Sequence, residues 1–518
     1  MFGFFKRKKE ETPPQPTPEP AKRRYTRIAR RSMDGARMDR LTADWISSPL
    51  TADQIIQTKQ RVLVARSRDQ ALNNDYAKAF VRMAAQNIVG SKGIVLQAQS
   101  KDQNGQLDTL ANEAIEAAFA DWSKREHCDV SGRQSFRAIQ ASCVSSAAIN
   151  GEFMVRKIFG REAGDYSFAL QILDPQRCNP DYNRFDLAGG NYIRAGIEFN
   201  KYGRPVAFHF TVGSEADAYY DYAYAGNSFM RIPADEIIHG FVPEMVGQKR
   251  GLPWFSAGLY RLKNLAGFED AAIVNARVGA SKMGVIQWRD GHGPDLSDDE
   301  LADFEMTAEP GEFPVMPEGA ELKEWAPTFP SGEFATFSKA MLRGISAGLG
   351  VLYNNLASDL EGVNYSSIRQ GTLDEREHWK DLQEWLVESL MQPVFDSWIK
   401  RALLLGRITV KGRPLKPERI DRYSVVAWQP RRWAWIDPQA DVQASISAKN
   451  ALLQSPGQII RDQGKDPATV WREVARDIEE MRAAGIPEAF IQAAIFDKNL
   501  QAAVMAQTAD KMGETGGK

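Results

Sequence analysis

Apolar positions recur with two different periods along this chain, and the change from one to the other divides it into regions. Between Ala52 and Val89, the residues Ile55, Ile56, Val62 and Leu63, then Tyr76, Phe80, Val81, Ala84 and Ile88, fall at helical spacing. Gly90 and Gly93 end that run and open a short strand, Ile94 to Gln97. Helices are expected again at Leu107 to Lys124 and at Gln134 to Asn150. From Gly151 the period falls to two. Phe153, Val155 and Ile158 lead across Gly160 to Asp165 into Phe168, Leu170, Ile172 and Leu173, which predicts a strand pair. Ile193 to Phe199 and Pro205 to Val212 read as two strands around the turn Asn200-Lys201-Tyr202-Gly203, with Gly203 where a positive φ is needed. Ile232 to His239 adds one more short strand entry, and this α+β region ends near residue 250.

Beyond it the helical period returns in longer pieces. Trp254 to Met283 carries Phe255, Leu259, Leu262, Leu265, Phe268, Ala272, Ile273 and Ala276 as an apolar face. Helical throughout, it reaches ~45 Å, long enough for a strut. Residues 290–326 hold twelve carboxylates against the single Lys323, with strand-like Val285 to Trp288 before them. A short helix is expected near Ser297, and later strands at Val315 to Pro317 and Leu322 to Trp325. A second long helix starts near Gly332 on Phe334, Phe337, Met341, Ile345 and Leu349, and stops at Gly348-Leu349-Gly350. A polar stretch follows, with Asn354, Asn355, Ser358, Asp359, Glu361 and Asn364. Thr372 then begins the longest helix, bearing Trp379, Trp385 and Trp398, and Pro393 is expected to kink or break it. Those tryptophans fit either ordinary core packing or a lateral surface between subunits. Helices at Gln439 to Leu453, Pro467 to Ala484 and Pro487 to Gln507 close the chain. The fold class expected is α+β, predominantly helical.

Composition adds mainly exclusions. The 518 residues are 43% hydrophobic and 25% charged, with a formal net charge of −2, so no overall basic excess marks a nucleic-acid binder. Residues 1–51 are expected to form an extended basic and proline-rich tail: Lys6 to Lys9 and Lys22 to Arg31 flank the run Thr12 to Pro20. This tail suits a basic arm that touches nucleic acid, or a solvated terminus, the commoner case for such charge runs. Cys128, Cys143 and Cys178 cannot all pair and form no CxxC, which favours a reducing compartment. The five histidines, His127, His209, His239, His292 and His378, lie apart without ligand spacing, so no metal site is expected. There is no GxxxxGK[ST] loop and no GxSxG elbow, hence no expected cofactor and no enzyme. The acidic run is contiguous, which suits a solvated or docking face better than a two-metal nuclease site. No stretch approaches the ~20 apolar residues that span a bilayer, and the chain is read as soluble.

One feature of the order of parts stands out: strut, acidic insert, returning strut, polar loop, long helix. A series of short segments carries a resemblance to a known family in the same order. They begin with Ala65-Arg66-Ser67-Arg68-Asp69-Gln70-Ala71-Leu72-Asn73-Asn74-Asp75-Tyr76-Ala77 and Asn87-Ile88-Val89-Gly90. Gly151-Glu152-Phe153, Leu173-Asp174-Pro175, Gly196-Ile197-Glu198-Phe199 and Gly203-Arg204-Pro205 follow. Arg250-Gly251-Leu252-Pro253-Trp254, Ala347-Gly348-Leu349-Gly350-Val351, Asn364-Tyr365-Ser366-Ser367 with Arg369, and Trp435-Ile436-Asp437-Pro438 complete it. Across roughly residues 50–485 the chain resembles the portal proteins of lambda-type tailed bacteriophages.

That resemblance implies a dodecameric ring at one vertex of the head, built from wing, stem, clip and crown regions. Residues 52–250 and 372–432 would be wing, 251–284 and 331–349 stem helices, 285–330 the acidic clip, 350–371 the tunnel loop, and 433–518 crown and tail. Double-stranded DNA would thread the ring past Asn354, Asn355, Ser358, Asp359, Glu361 and Asn364. The clip face, Asp298, Asp299, Glu300 and Asp303, would dock the terminase large subunit and then the head-completion and tail-connector proteins. The major capsid protein would surround the ring, and assembly would take place in the host cytoplasm. Arg343 or other stem cations would make a few weak phosphate contacts. A terminase or nuclease subunit and a head–tail adaptor are the competing readings.

Overall fold

Polar caps set the limits of the helices that open the body. The computed structural model describes Arg40 and residues 43–44, 46–212, 229–280, 284–288, 320–324, 334–433, 438–488 and 490–491. Helices α1 (Ala52–Gln57), α2 (Gln60–Asn73) and α3 (Asp75–Ile88) follow one another closely. The Asn74 side chain accepts from the backbone N–H groups of Tyr76 and Ala77, so α3 starts there. Ala77, Phe80, Ala84 and Ile88 then form its buried face. After strand β1 (Val95–Ala98), Asp108 caps α4 (Thr109–Trp122) and a short α5 (Arg125–Cys128) follows. Ser135 caps α6 (Phe136–Asn150), which ends at Gly151 with φ 88°.

The predicted switch to period two produces two sheets. Strands β2 (Glu152–Phe159) and β3 (Phe168–Leu173) pair antiparallel as expected, with Val155 opposite Ile172. Strands β4 (Arg184–Leu187), β5 (Asn191–Arg194), β6 (Ile197–Phe199), β7 (Pro205–Thr211) and β8 (Phe229–Pro233) form a five-stranded meander, and β9 (Ile237–Phe241) adds to the free edge of β2. One expectation fails here. Ile193 to Phe199 is two strands, because Ala195 (φ 51°) and Gly196 (φ 81°) make a two-residue turn that pairs Arg194 with Ile197. Positive φ at both turn residues suits the twist of a tight hairpin. The Asn200–Gly203 turn is found where the sequence puts it, with Gly203 at φ 78°.

The first strut is shorter than the sequence suggests. Helix α7 (Leu259–Ala280) has 22 residues, ~33 Å at 1.5 Å each, and residues 254–258 form turns instead. Leu259, Leu262 and Leu265 are buried, whereas Ile273, expected on the apolar face, is 50% exposed and Val274 56%. Burial fades along the helix, as it does when a rod leaves a body. Strands β10 (Gly284–Trp288) and β11 (Ala320–Glu324) pair antiparallel, Val285 opposite Lys323, and bring the two ends of the acidic segment together. The remainder of that segment, Val315 to Pro317 included, lies outside the described residues. Helix α8 (Phe334–Leu349) returns beside α7: Phe268 stacks on Phe334 with ring centres 5.3 Å apart and meets Phe337 at 4.7 Å.

Helix α9 (Tyr353–Ala357) is a single short turn of chain, and α10 (Tyr365–Leu386) begins seven residues before the expected Thr372. Pro393 does not break the rod. A π turn, Val387–Met391, precedes α11 (Gln392–Leu404) and puts the proline within its first residues. The wider turn removes the hydrogen bond and the carbonyl contact that proline would spoil in a regular helix. Strands β12 (Thr409–Val410) and β13 (Arg413–Pro414) make a small hairpin; after α12 (Ile420–Tyr423), β14 (Val426–Gln429) pairs with β1. Helices α13 (Pro438–Asn450), α14 (Pro456–Asp462) and α15 (Pro467–Ala483) end the described chain, and most of Pro487 to Gln507 lies outside it.

The tryptophan question resolves toward the core. Trp379 and Trp398 are 1% and 0% exposed, and Trp398 meets Phe119 edge-on at 5.0 Å. Trp385 is half-buried and donates from Nε1 to the Phe241 carbonyl at 3.0 Å. The helix α10–α11 is thus the spine onto which α3, α4, α6 and the three-stranded sheet pack.

Candidate functional site

The polar stretch after α8 is an ordered strap. Helix α8 closes with Val351 N–H donating to the Ser346 carbonyl (3.1 Å) and Gly350, at φ 69°, donating to Ala347 (3.4 Å). At its other end Asn364 accepts from the Ser366 N–H and caps α10. The strap therefore ends at residue 364, and residues 365–371, expected in the loop, are helix.

Two carboxylates hold it, one from α10 and one within the strap itself. Glu375 on α10 is buried; one of its oxygens accepts from the Leu352 N–H (3.0 Å) and Asn355 Nδ2 (2.7 Å), the other from Trp379 Nε1 (2.9 Å). Asp359 accepts from the Tyr353 hydroxyl (2.7 Å), Lys339 Nζ (3.0 Å) and the Glu361 N–H (3.0 Å). The hydrogen bond from Tyr353, with those of Glu361 and Lys339, holds the Asp359 carboxyl down at about 2. Burial, together with the bond to that carboxylate, pushes the Tyr353 phenol up to about 12. Lys339 and Arg343, four residues apart on α8, lie 5.6 and 5.7 Å from the Tyr353 ring centre.

Of the residues singled out by sequence, Asn354 and Asp359 come together: Asn354 Nδ2 donates to the Asp359 carbonyl at 2.6 Å. Asn355 belongs to the Glu375 anchor and Asn364 to the helix cap. Ser358, at φ 52°, and Glu361 are exposed. Leu360 beside them is 68% exposed, so the outer run of the strap, 360–364, presents an apolar side chain next to the exposed carboxylate of Glu361. Arg343 is exposed and stacked on Tyr353, off the Asp359 pair. The other predicted site, Asp298, Asp299, Glu300 and Asp303, lies outside the described residues. Among the described residues no cluster of three or more His, Cys, Asp or Glu is placed to hold a metal ion. No described helix is long and apolar enough to cross a membrane.

Sequence reasoning missed a buried polar knot at the start of β2. Glu152 and Arg250 are 0% and 1% exposed and 98 residues apart. Arg250 donates from Nε (2.8 Å) and Nη2 (2.6 Å) to Glu152 Oε1, from Nη2 to the Pro175 carbonyl (3.0 Å), and from Nη1 to those of Cys178 (2.9 Å) and Ala195 (2.6 Å). Glu152 Oε2 receives the Gly251 N–H at 3.0 Å and lies 2.9 Å from His239 Nε2. Burial alone would raise the Glu152 carboxyl, but the Arg250 charge and the His239 contact outweigh it and hold it at about 2. Two glycines make the approach possible: a Cβ on Gly251 would stand 2.0 Å from the Gly151 carbonyl oxygen, and one on Gly151 would stand 2.3 Å from the Leu252 carbonyl carbon. Beside the knot, Arg68 bridges Asn150 and Asp174 at 2.8 and 2.6 Å. Arg68, Gly151-Glu152, Asp174-Pro175, Gly196 with its neighbour Ala195, and Arg250-Gly251 are pieces of the segments that carry the family resemblance. The fold draws them to one place.

Comparison with known proteins agrees with the family resemblance of those segments. The family model described as phage portal protein, lambda family, matches residues 38–383. A probable portal protein of Halomonas phage phiHAP-1 is 33% identical over 482 residues, covering 92% of this chain and 91% of its own. The chain belongs to the lambda family of phage portal proteins. Portal protein B of Escherichia phage lambda itself is 22% identical, over 86% of this chain and 89% of its own. Portal protein of Escherichia phage N15 is 23% identical over 84% and 87%. Among solved structures, a chain from the neck of an empty gene transfer agent particle computed with C6 symmetry aligns at TM-score 0.43 and 14% identity, covering 78% of this chain and 94% of that one. The work of this chain is accordingly that of a phage portal, a structural part of the particle.

Proposed function

We propose that the chain closes into a dodecameric ring at one capsid vertex, that double-stranded DNA passes through it in packaging and ejection, and that residues 351–364 form the tunnel loop. The ring works as a conduit without catalysis, in the virion, after assembly in the host cytoplasm. In this reading 52–250 with 372–432 is wing, α7 and α8 are stem, 285–330 is clip and 433–518 is crown. The terminase large subunit and later the head-completion and tail-connector proteins dock on the clip through Asp298, Asp299, Glu300 and Asp303, and the major capsid protein surrounds the wing.

The observation that supports the loop assignment is its charge balance. A conduit must touch the duplex without gripping it, and each phosphate neutralised by a free cation adds salt-dependent affinity. Asp359 already occupies Lys339, and in the outward run Leu360 to Asn364 the one charged group is the carboxylate of Glu361, which opposes phosphate and balances the exposed Arg343 nearby. Such groups press on the backbone without reading bases. Meanwhile the Glu375 anchor ties the strap to the spine, so it resists being dragged along.

Deleting Leu360 to Gly362 keeps both anchors and tests the assignment. Rings should still form by electron microscopy, while packaging or retention of DNA fails. Wild-type packaging and retention by such rings would overturn the tunnel-loop reading.

A further inference from the structure

A second charged feature lies far from the strap, where the last helices meet the body. The end of α3, the turn Ser91–Gly93, the chain after β14 and the turn between α14 and α15 enclose an open cleft of about 620 Å³. Four cations line it: Lys92, Arg431, Arg432 and Lys465. Two carboxylates also line it, Asp466 and Glu473.

The lining is positive overall, and its charged groups differ in how far they are tied to the body. Asp466 is fully engaged, accepting from Gln97 Nε2 (2.5 Å), the Thr469 N–H (2.9 Å) and the Thr469 hydroxyl (2.9 Å). Arg431 is committed to the body: its Nη1 donates to the Gln86 carbonyl and to Asn87 Oδ1, both at 2.7 Å. Lys92, Arg432 and Lys465 are exposed and have no carboxylate partner among the described residues, and with Arg431 the lining holds four cations against the two carboxylates Asp466 and Glu473. On the neighbouring rim, by contrast, Arg472 is paired with Glu113. What sets these three apart is their place: they line one cavity from three separate chain segments, so their fields add there, and a bound anion with several charges would offset them.

We propose that this cleft binds phosphate groups, at a site separate from the tunnel loop. A tetrahedral, multiply charged anion matches two flexible ammonium groups and one guanidinium fork better than a single carboxylate does. Two sources present that chemistry, the sugar–phosphate backbone of a duplex and free polyphosphate. The duplex source rests on the portal reading; the phosphate chemistry does not.

The test uses assembled rings of the full chain and of the triple variant Lys92→Gln, Arg432→Gln, Lys465→Gln. These side chains are exposed and unpaired, so ring images and thermal unfolding should match wild type. A short labelled duplex is titrated by fluorescence anisotropy across a salt series, and inorganic tripolyphosphate is titrated separately by isothermal calorimetry. Duplex binding whose log–log salt slope is shallower by ~2–3 in the variant supports the cleft with DNA as its source, at ~0.9 per phosphate contact. Tripolyphosphate binding that the variant loses, with duplex binding unchanged, supports the cleft with free polyphosphate as its source. Equal binding of both probes to wild type and variant overturns the proposal. Rings lacking Leu360 to Gly362 retain the cleft, so its failure and that of the tunnel loop are read in separate particles.

Discussion

The knot at Glu152 and the strap at Asp359 use the same chemistry in opposite surroundings. Each centres on a carboxylate held at about 2 by a cation and by hydrogen-bond donors. Glu152 is sealed from water with Arg250 and gathers three backbone carbonyls through it, whereas Asp359 and Lys339, with side chains 24% and 36% exposed, both reach solvent. A buried pair cannot exchange its partner for water, so breaking it leaves an uncompensated charge; an exposed pair is screened and exchangeable. The first arrangement suits a permanent joint between sheet, turns and helix. The second suits a contact that opens and recloses as something moves past.

Removing the knot should give the largest effect. Glu152→Ala leaves Arg250 buried and unpaired, and a loss of ~3–5 kcal/mol in urea unfolding is expected. A loss below about 1 kcal/mol would erase the distinction between the two sites. The pH dependence follows from the depressed carboxyl. Its stabilisation is complete above about 4.5, the unfolded value, and is lost as the pH falls through about 2. Wild-type stability should decline across that window, and Glu152→Gln should flatten the decline.

Gly350→Ala comes next. It forces a β-carbon into a left-handed backbone at φ 69° and to 3.1 Å from His378 Nε2, at a cost of ~1–2 kcal/mol. Calorimetry checks it, and an unchanged melting temperature would show that the end of α8 is as adaptable as the strap. Asp359→Asn should have the smallest effect on stability, with melting unaltered. Amide exchange at residues 359–363 should nevertheless quicken. If exchange is unaltered too, the Lys339 contact does not hold the strap.

Much of the architecture was legible because its signals are local. The period-two run from Gly151, the Asn200–Gly203 turn, the glycine stop of α8 and the strand at Val285 each lie within a few residues of their cause. The misreadings have local causes as well. Apolar alternation runs through Ala195-Gly196, so the hairpin there is hidden in what looks like one strand. The first turns of α10, Tyr365 to Gly371, are polar because they are mostly exposed, and so resemble loop. The knot was invisible for another reason: no window of sequence contains both Glu152 and Arg250. The only trace was charged residues set among glycine and proline at Gly151-Glu152, Asp174-Pro175 and Arg250-Gly251, an odd setting for a solvated side chain. Of the candidate site, the sequence identified Asp359 and Asn354 but not their partners Lys339 and Tyr353, nor the anchor Glu375, which lies a helix away.

The π turn at Val387–Met391 also acts as a phase corrector. Leu382, Leu386, Leu390, Val394 and Trp398 recur every four residues and are all buried. On a regular helix such a series drifts by ~40° per step, because four residues overshoot a 3.6-residue turn. Over these four steps it would wind almost half-way round the rod and carry Trp398 away from the face that holds Leu382. One slack turn in the middle takes up much of that drift, and a single inward seam survives along the rod. Pro393, which has no N–H to donate into a regular turn, favours the irregularity at this place, and with it one rotational setting of the two halves of the spine.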